Sequence, residues 1–489
     1  MTAKFSRLNS VYLLWTILVF FFVLYASVSL VNHYNFRTAA LDLGLYTNAL
    51  YDFIHFRWAD SQMIKPAAEN LFGGHLNLYL IFFSPLSLLF GSYTLLVVQI
   101  LAILFGGYGV FRYFKLVCSD RLSLAFWAML AFYLFFGVFS ALSFDYHSNV
   151  VAAMLLPWFF LYLKRDKRLI SLAFLIAIMA GKENMALWMA FVVLGLVPEF
   201  WKNKQMVLLL LAFFVLAVMW FILSVTVVIP YFSAEGEYTG FLYSALGSNP
   251  AEALRNLFLH PYDNLLNLFV NHNQSPHGDF VKTEFYVLLL LSGLPFLFFR
   301  PGYLVMLIPV LFQKMYHDNY LMWGVGDHYS IEFVPVMVVG AFSVIASVKR
   351  RGIQKLTVVL LMLGIVAGTV RVMDNTVLYT NKNKIRFYKK SHYTRTIDVA
   401  MVHQNLKRVP PDAVVSAESK VVPHLALRDK IYQFPIVKEA EFIVYTTIEN
   451  TYPLDEPLFY KEIYAYRNSG DWEVFFEDKD LVILKRKVK

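Results

Sequence analysis

Carboxylates, imidazoles and one lysine stand at a few places in this chain where their spacing allows chemistry. Asp42 lies in "TAALDLGLYTNALYDF" (38–53), shortly after the first long apolar run. A carboxylate there can take a proton from a hydroxyl. It can equally cap the helix whose apolar period runs through Leu43, Tyr46, Leu50 and Phe53, since Asp is a favoured N-cap. "SFDYHSN" (143–149) sets Asp145 and His147 two residues apart, on one face only if the turn is extended; a solvated turn accounts for them as well. In "MAGKENMALW" (179–188), Lys182, Glu183 and Asn184 are wedged between two apolar runs, which is costly unless they line a cavity or pair. Lys182 can hold a phosphate as a point charge, and Glu183 can accept a proton or ligate a divalent cation; a plain polar turn is the competing account. His75, after Gly73-Gly74, can bind phosphate or metal or simply anchor an interfacial segment. Asp327 and His328 sit beside Gly324 and Gly326 in "WGVGDHYSIEFVPVM" (323–337), and "NHNQSPHGDF" (271–280) offers His272, His277 and Asp279. The chain has no H-E-x-x-H, Walker loop, dinucleotide fingerprint or G-x-S-x-G, so zinc-hydrolase, ATP-driven and serine-hydrolase readings lack support.

The elements that must position these residues are apolar. Of 489 residues 58% are hydrophobic and only 16% charged, with mean hydropathy +0.54, against about 25% charged in soluble proteins. Runs near the length needed to cross a bilayer recur, and the chain reads as an α-helical polytopic membrane protein. The spans are expected near 11–31, 94–114, 122–142, 148–163, 168–181, 184–200, 206–229, 284–299, 302–313, 330–348 and 356–373. The first is read as a retained span, because no small-residue cleavage site follows it. "HLNLYLIFFSPLSLLFG" (75–91) is short and holds Pro85, which suits an interfacial or re-entrant segment. If it does not cross, then Arg112, Lys115, Arg121, "KRDKR" (164–168), Lys202, Lys204, Arg300, "KRR" (349–351) and Lys355 all fall on the side of Lys4 and Arg7. The positive-inside rule then puts the N-terminus in the cytoplasm and nearly every candidate acid and histidine outside. The single cysteine, Cys118, excludes an internal disulfide and a multi-cysteine metal site.

From about residue 374 to 489 the pattern changes. "NKNKIRFYKKSHYTR" is a basic stretch that can meet lipid headgroups or phosphates, or be a solvated linker. A helix-like segment (396–407) and strand-like runs "AVVSA", "KIYQF", "EFIVYTT", "WEVFFED" and "DLVILKR", the last two as a hairpin, predict a small α/β domain on the outer side. The expected division is therefore 1–373 and 374–489.

The order of these motifs resembles a family of bacterial and archaeal predicted membrane proteins of unknown function, grouped by similarity with the GT-C glycosyltransferases. The features that carry it are the early Asp42, Gly-His before a Pro-containing apolar segment ending in "LFG", "KEN", "DHY" before a Pro-bearing span, and "VVSAESKVVPHLALRDKIYQFP" in the tail. The resemblance implies a GT-C-like fold with juxtamembrane helices in the first external loop, in agreement with the eleven spans and the surface reading of 75–91. It implies transfer of a sugar, with inversion, from a polyprenyl-phosphate carrier to a lipid, glycan or protein acceptor outside the cytoplasmic membrane. Asp42 matches the essential acid of the first loop, as general base. Asp145 is the candidate second acid, although "FDYH" departs from the usual Arg-x-x-x-x-Asp context. Glu183 and Lys182 would be additions near the lipid phosphate, with Arg37, His75 and His328 as further phosphate-binding candidates. A divalent cation, Mg2+ or Mn2+, held by Asp42, Asp145, His147 and Asp327 is an optional cofactor; membrane lipids are partners and nucleic acid is not. The rival classes are a lipid or sugar-lipid transporter and a non-catalytic membrane scaffold. The transporter is disfavoured by the lack of repeats and of midplane charge clusters.

Overall fold

The computed structural model describes residues 2–378, 381–447 and 451–487. Apolar runs become helices, and six among the described residues are long and apolar enough to cross a membrane: Ser10–Tyr34, Tyr79–Val117, Leu122–Ser143, Glu183–Phe200, Lys204–Phe232 and Arg351–Asp374. Shorter apolar helices cover Ser148–Lys164, Arg168–Met179, Pro301–Met315 and Phe333–Ser347. Helices recur in the order of the expected spans, but only the six reach that length. Several outward faces remain apolar: Phe20, Leu208, Met219 and Leu363 are all exposed, as suits lipid contact. Small residues allow the closest crossing inside the bundle. A Cβ on Gly195 would lie 2.3 Å from the Gly302 carbonyl oxygen, and one on Gly302 would lie 2.1 Å from that of Gly195, so helices Glu183–Phe200 and Pro301–Met315 meet backbone to backbone.

Two interruptions shape the end of the bundle that carries Asp42. The Leu122–Leu134 helix breaks at Phe135, which takes an extended conformation, and resumes over Phe136–Ser143 before the "FDYH" turn. Residues 75–93 form short pieces, Tyr79–Phe83, Ser84–Leu86, Ser87–Phe90 and Gly91–Tyr93, ahead of the long helix Thr94–Val117. Phe82, Leu88 and Leu89 of this stretch are 71%, 78% and 75% exposed, the mark of a segment that lays apolar side chains against lipid.

The connection from Tyr34 to Thr94 also holds the helix Leu45–Ile54 and a two-residue antiparallel ladder, β1 (Asp60–Ser61) with β2 (Glu69–Asn70). The tail is a five-stranded sheet of β3 (Val415–Ala417), β4 (Ile431–Gln433), β5 (Phe442–Thr446), β6 (Trp472–Glu477) and β7 (Leu481–Arg486). Its order is β4-β3-β5-β7-β6: β3 runs parallel to β4 and β5, while β7 is antiparallel to β5 and β6. All the expected strands are present, the hairpin included. The helix expected at 396–407 is shorter, Val399–Leu406, and the longest helix of the tail, Glu456–Asn468, lies outside that expectation.

The tail domain does not stand apart. One apolar core joins Val415, Ala417, Val422, Val444 and Ile483 to Phe36, Ala40 and Met63 of the first connection. The Gln433 N–H donates to the Met63 carbonyl at 2.7 Å, and the His33 and His424 rings stack at 4.1 Å.

Candidate functional site

Asp42 does not cap a helix. It sits inside a tight turn, Ala40–Gly44, with φ 69° and ψ −92°, while Leu41 before it is extended. No side chain caps either this turn or the helix Leu45–Ile54, which starts from Gly44 in a helical conformation. A non-glycine residue at such angles is strained, and the surroundings must hold it there. Four contacts do so. Ala39 N–H donates to Asp145 Oδ2 at 2.9 Å and Ala40 N–H donates to Ser419 Oγ at 3.4 Å. Gly44 N–H returns to the Ala39 carbonyl at 3.0 Å, and Leu45 N–H reaches the carbonyls of Ala40 and Asp42. The apolar period reads through this turn as helix, because Leu41 and Leu43 do not betray it.

Freed from capping, the Asp42 carboxylate turns to His147, with Oδ1 3.4 Å from Nε2, and about a fifth of the side chain (21%) stays exposed. His147 is placed by its backbone N–H, which donates to Gln99 Oε1 at 2.9 Å, and its ring stacks on His328 at 3.5 Å and 16°. Phe144 packs beside both rings, at 5.3 Å and 5.8 Å. Nδ1 of each imidazole is buried without a hydrogen-bond partner among the described residues. Two further bonds lock the turn 143–149 to the 325–332 segment: Ser140 Oγ–H to the Val325 carbonyl at 2.7 Å, and Asn149 Nδ2–H to Glu332 Oε1 at 2.7 Å.

Across from this pair, Glu183 is fully engaged. Its Oε1 meets His75 Nδ1 at 2.9 Å, and Oε2 accepts the Leu76 N–H at 3.2 Å. The two oxygens thus fix the start of the interfacial segment to the start of the helix Glu183–Phe200. Gly73 is needed for the same approach, since a Cβ there would lie 2.7 Å from the Phe232 carbonyl oxygen; Gly74 faces open space. Lys182, half-buried, has neither an ion pair nor a side-chain hydrogen bond among the described residues, and its charge acts on Asp42 and His328.

The three other carboxyls differ in their electrostatics. Burial works to raise Asp42, but His147, by charge and hydrogen bond, and then Lys182 and His75 outweigh it and hold the carboxyl below its usual value. Burial raises Asp145, against the pull of Lys384, Lys420 and the Ala39 N–H, with Asp42 adding to the rise. Burial raises Asp327 as well, opposed by Lys384, His147 and Lys314. Desolvation, then His147, Lys182, Lys314 and His75, push His328 well down, so the inner ring of the stack is neutral. Asp42 is therefore the carboxylate held ionised and partly open, beside a histidine stack.

Other expected residues lie elsewhere in role. The Arg37 guanidinium is buried and donates to the carbonyls of His392 (2.5 Å), Ser391 (3.0 Å) and Thr394 (3.2 Å), so it ties the 383–394 segment to the first connection and does not face the site as a free phosphate ligand. The four candidate metal ligands do not form a donor set: Asp145 is turned to Ala39, and among the described residues no three of His, Cys, Asp and Glu group as a metal site. His272, in the long loop before the helix Val281–Leu291, contacts Lys282 at 2.8 Å. Two residues that sequence reasoning did not single out act on Asp145 by their charge: Lys384 and Lys420.

The chain belongs to a family described as predicted membrane protein (DUF2079), whose family comparison matches residues 32–455. The matched span takes in the Asp42 turn, the histidine stack, the Lys182–Glu183 corner and most of the tail domain. No curated protein matches the chain.

Proposed function

We propose that this protein is a GT-C-like glycosyltransferase of the cytoplasmic membrane, moving a sugar from a polyprenyl-phosphate carrier to an acceptor hydroxyl at the outer face. In this reading the chain crosses eleven times, with the N-terminus inside and the tail domain outside. The basic clusters at Arg112–Arg121, Lys164–Arg168, Lys202–Lys204 and Lys349–Lys355 support that orientation, because contacts gather them: Arg112, Lys115 and Arg165 line one cavity, Arg168 donates to Gln205 beside Lys204, and Arg121 donates to the Ala346 carbonyl just before Lys349.

One observation carries the proposal: Asp42 is held in a strained turn with its carboxylate ionised, partly open and 3.4 Å from His147, where capping would have served folding alone. As general base, Asp42 accepts the acceptor hydroxyl proton while that oxygen bonds to the anomeric carbon. The bond from that carbon to the phosphate oxygen breaks, and polyprenyl phosphate leaves with the electron pair. A carboxylate held low is always in the accepting form at neutral pH, though with less driving force than one tuned near 7. Lys182, without an ionic partner, supplies charge for the leaving phosphate, and Glu183 keeps His75 at the entrance. His147 orients Asp42. No step here requires a cation.

The test is transfer of radiolabelled sugar from polyprenyl-phosphate donors by the full chain in nanodiscs, with Asp42→Asn compared by rate and melting temperature. The expected outcome is turnover reduced by about 10²–10⁴-fold at unchanged melting temperature. Turnover unchanged in Asp42→Asn would remove Asp42 as base.

A further inference from the structure

We propose that Lys384 and Lys420 form a phosphate-binding site at the seam between the membrane region and the tail domain. The lysine from the tail makes that domain part of the site. This inference rests on where the chain brings the two lysines and stands whichever reaction Asp42 serves.

Lys384 is brought in by the first connection. Asn32 Nδ2 donates to the Lys384 carbonyl at 2.7 Å, and Arg37 reaches the carbonyl of the preceding Asn383 at 3.5 Å. The Lys384 amine then lies over the Phe144 ring at 5.7 Å, the same ring that packs on His147 and His328. It lines a cavity of about 220 Å³ with Ser140, Ser143, Asp327, Asn381 and Lys382. Lys420 comes from the other side. It follows Ser419, whose hydroxyl oxygen accepts from the Ala40 N–H, so the tail strand β3 delivers it beside the Asp42 turn.

What marks the pair is the lack of partners. Apart from Lys182 beside Asp42, the other lysines of this region that are buried or half-buried are satisfied: Lys314 donates to the Met322 carbonyl at 2.7 Å, Lys282 to the Asn267 carbonyl at 2.5 Å, and Lys382 to Thr376 Oγ1 at 2.7 Å and the Val372 carbonyl at 3.1 Å. Lys384 and Lys420 have no side-chain hydrogen bond and no carboxylate within 4.0 Å among the described residues, and Asp145 already accepts from Ala39. Burial, and then the charge of Lys384, push Lys420 down to about 8. Two half-buried ammonium groups that repel are costly to keep, and a phosphate between them removes both the repulsion and the unmet hydrogen-bonding capacity. The carboxyls whose charge is felt at the two lysines, Asp145 at both, Asp327 at Lys384 and Glu418 at Lys420, are all pushed toward their neutral forms by burial, so they contest an incoming anion weakly.

A phosphate can come from a lipid headgroup or from a soluble phosphorylated molecule, and the test separates the two. The full chain in nanodiscs is titrated with inorganic pyrophosphate by calorimetry and, in a second arm, reconstituted with and without polyprenyl phosphate and followed by melting temperature. Lys384→Ala and Lys420→Ala are expected each to weaken the ligand that binds by at least about tenfold, with Lys384→Arg and Lys420→Arg retaining it and Lys389→Ala, at an exposed position, without effect. Pyrophosphate binding that needs both lysines assigns a soluble phosphate, and stabilisation by polyprenyl phosphate alone assigns a lipid. Failure of the wild-type protein to respond to either, or equal binding in the alanine variants, overturns the site. Asp42→Asn is expected to keep the binding, so loss of glycosyl transfer and loss of the phosphate site are read separately.

Discussion

Asp42 and Glu183 are both carboxylates beside a histidine at the same end of the bundle, yet the chain treats them in opposite ways. Glu183 is 2% exposed and both its oxygens are used, at 2.9 Å and 3.2 Å, from the first residue of a regular helix. Asp42 is ten times as exposed, has one longer contact at 3.4 Å, and stands on backbone at φ 69°. Strain is tolerated where the surroundings over-determine it, and here Asp145, Ser419 and Gly44 do so. The difference separates a carboxylate that holds structure from one that structure holds ready. It also says that replacing them should fail differently.

The largest expected effect is therefore the loss of turnover in Asp42→Asn with its melting temperature preserved, since neither backbone nor cap depends on the charge. Glu183→Ala should do the reverse. It strips acceptors from the buried Leu76 N–H and from His75, a change worth about 1–3 kcal/mol, so the melting temperature falls and activity falls only with it. A Glu183→Ala protein as stable as wild type but inactive would reverse the assignment and make Glu183 the reacting group.

Next in size is the glycine pair before His75. Gly73→Ala places a methyl carbon 2.7 Å from the Phe232 carbonyl oxygen and must move one backbone against another, an overpacking cost of about 1–3 kcal/mol. Gly74→Ala meets open space, does not lie at positive φ, and should be neutral or stabilise by about 0.4–1 kcal/mol through the unfolded chain. Melting temperatures of the two variants, compared side by side, measure how tightly the Glu183 corner is clamped. Equal responses would mean that the close approach at Gly73 gives way easily.

Much of this was legible in residue type and little of it in partnership. Asp42, His75, His147, Lys182, Glu183 and His328 stand out because polar residues in an apolar chain need a reason, and the structure gathers them at one end. The pairings were not readable, because Asp42 with His147 and His75 with Glu183 each join residues more than a hundred apart in the chain. The turn at Asp42 was hidden by its neighbours, whose apolar spacing fits a helix. Arg37 looked like a phosphate ligand because nothing in the sequence says that carbonyls of 391–394 will surround it. Lys384 was lost in a run of basic residues that reads as a linker. The tail sheet was the easiest part, since short runs rich in β-branched and aromatic residues report themselves locally.

The smallest effect sets Asp42 against another acid of the same connection. Asp52, on the helix Leu45–Ile54, shares Arg57 with Asp429 of the tail domain, at 3.0 Å from Arg57 Nη2. Burial pushes Asp52 up to about 6, Arg57 pulls it back, and Asp429 and Asp60 add to the rise. A carboxyl whose folded value lies above the unfolded one binds its proton more readily in the folded state. Its contribution to stability thus grows as pH falls from above 6 toward about 4 and is lost again as pH rises through 6. Asp42, held below its unfolded value, contributes in the opposite sense, and only in the more acidic range. Across pH 4–7.5, Asp52→Asn should flatten the rise of melting temperature on acidification, whereas Asp42→Asn should leave that slope in place. Equal slopes in wild type and Asp52→Asn would show that Arg57 already neutralises Asp52 in the folded protein, and the seam to the tail domain would then carry no pH response at this point.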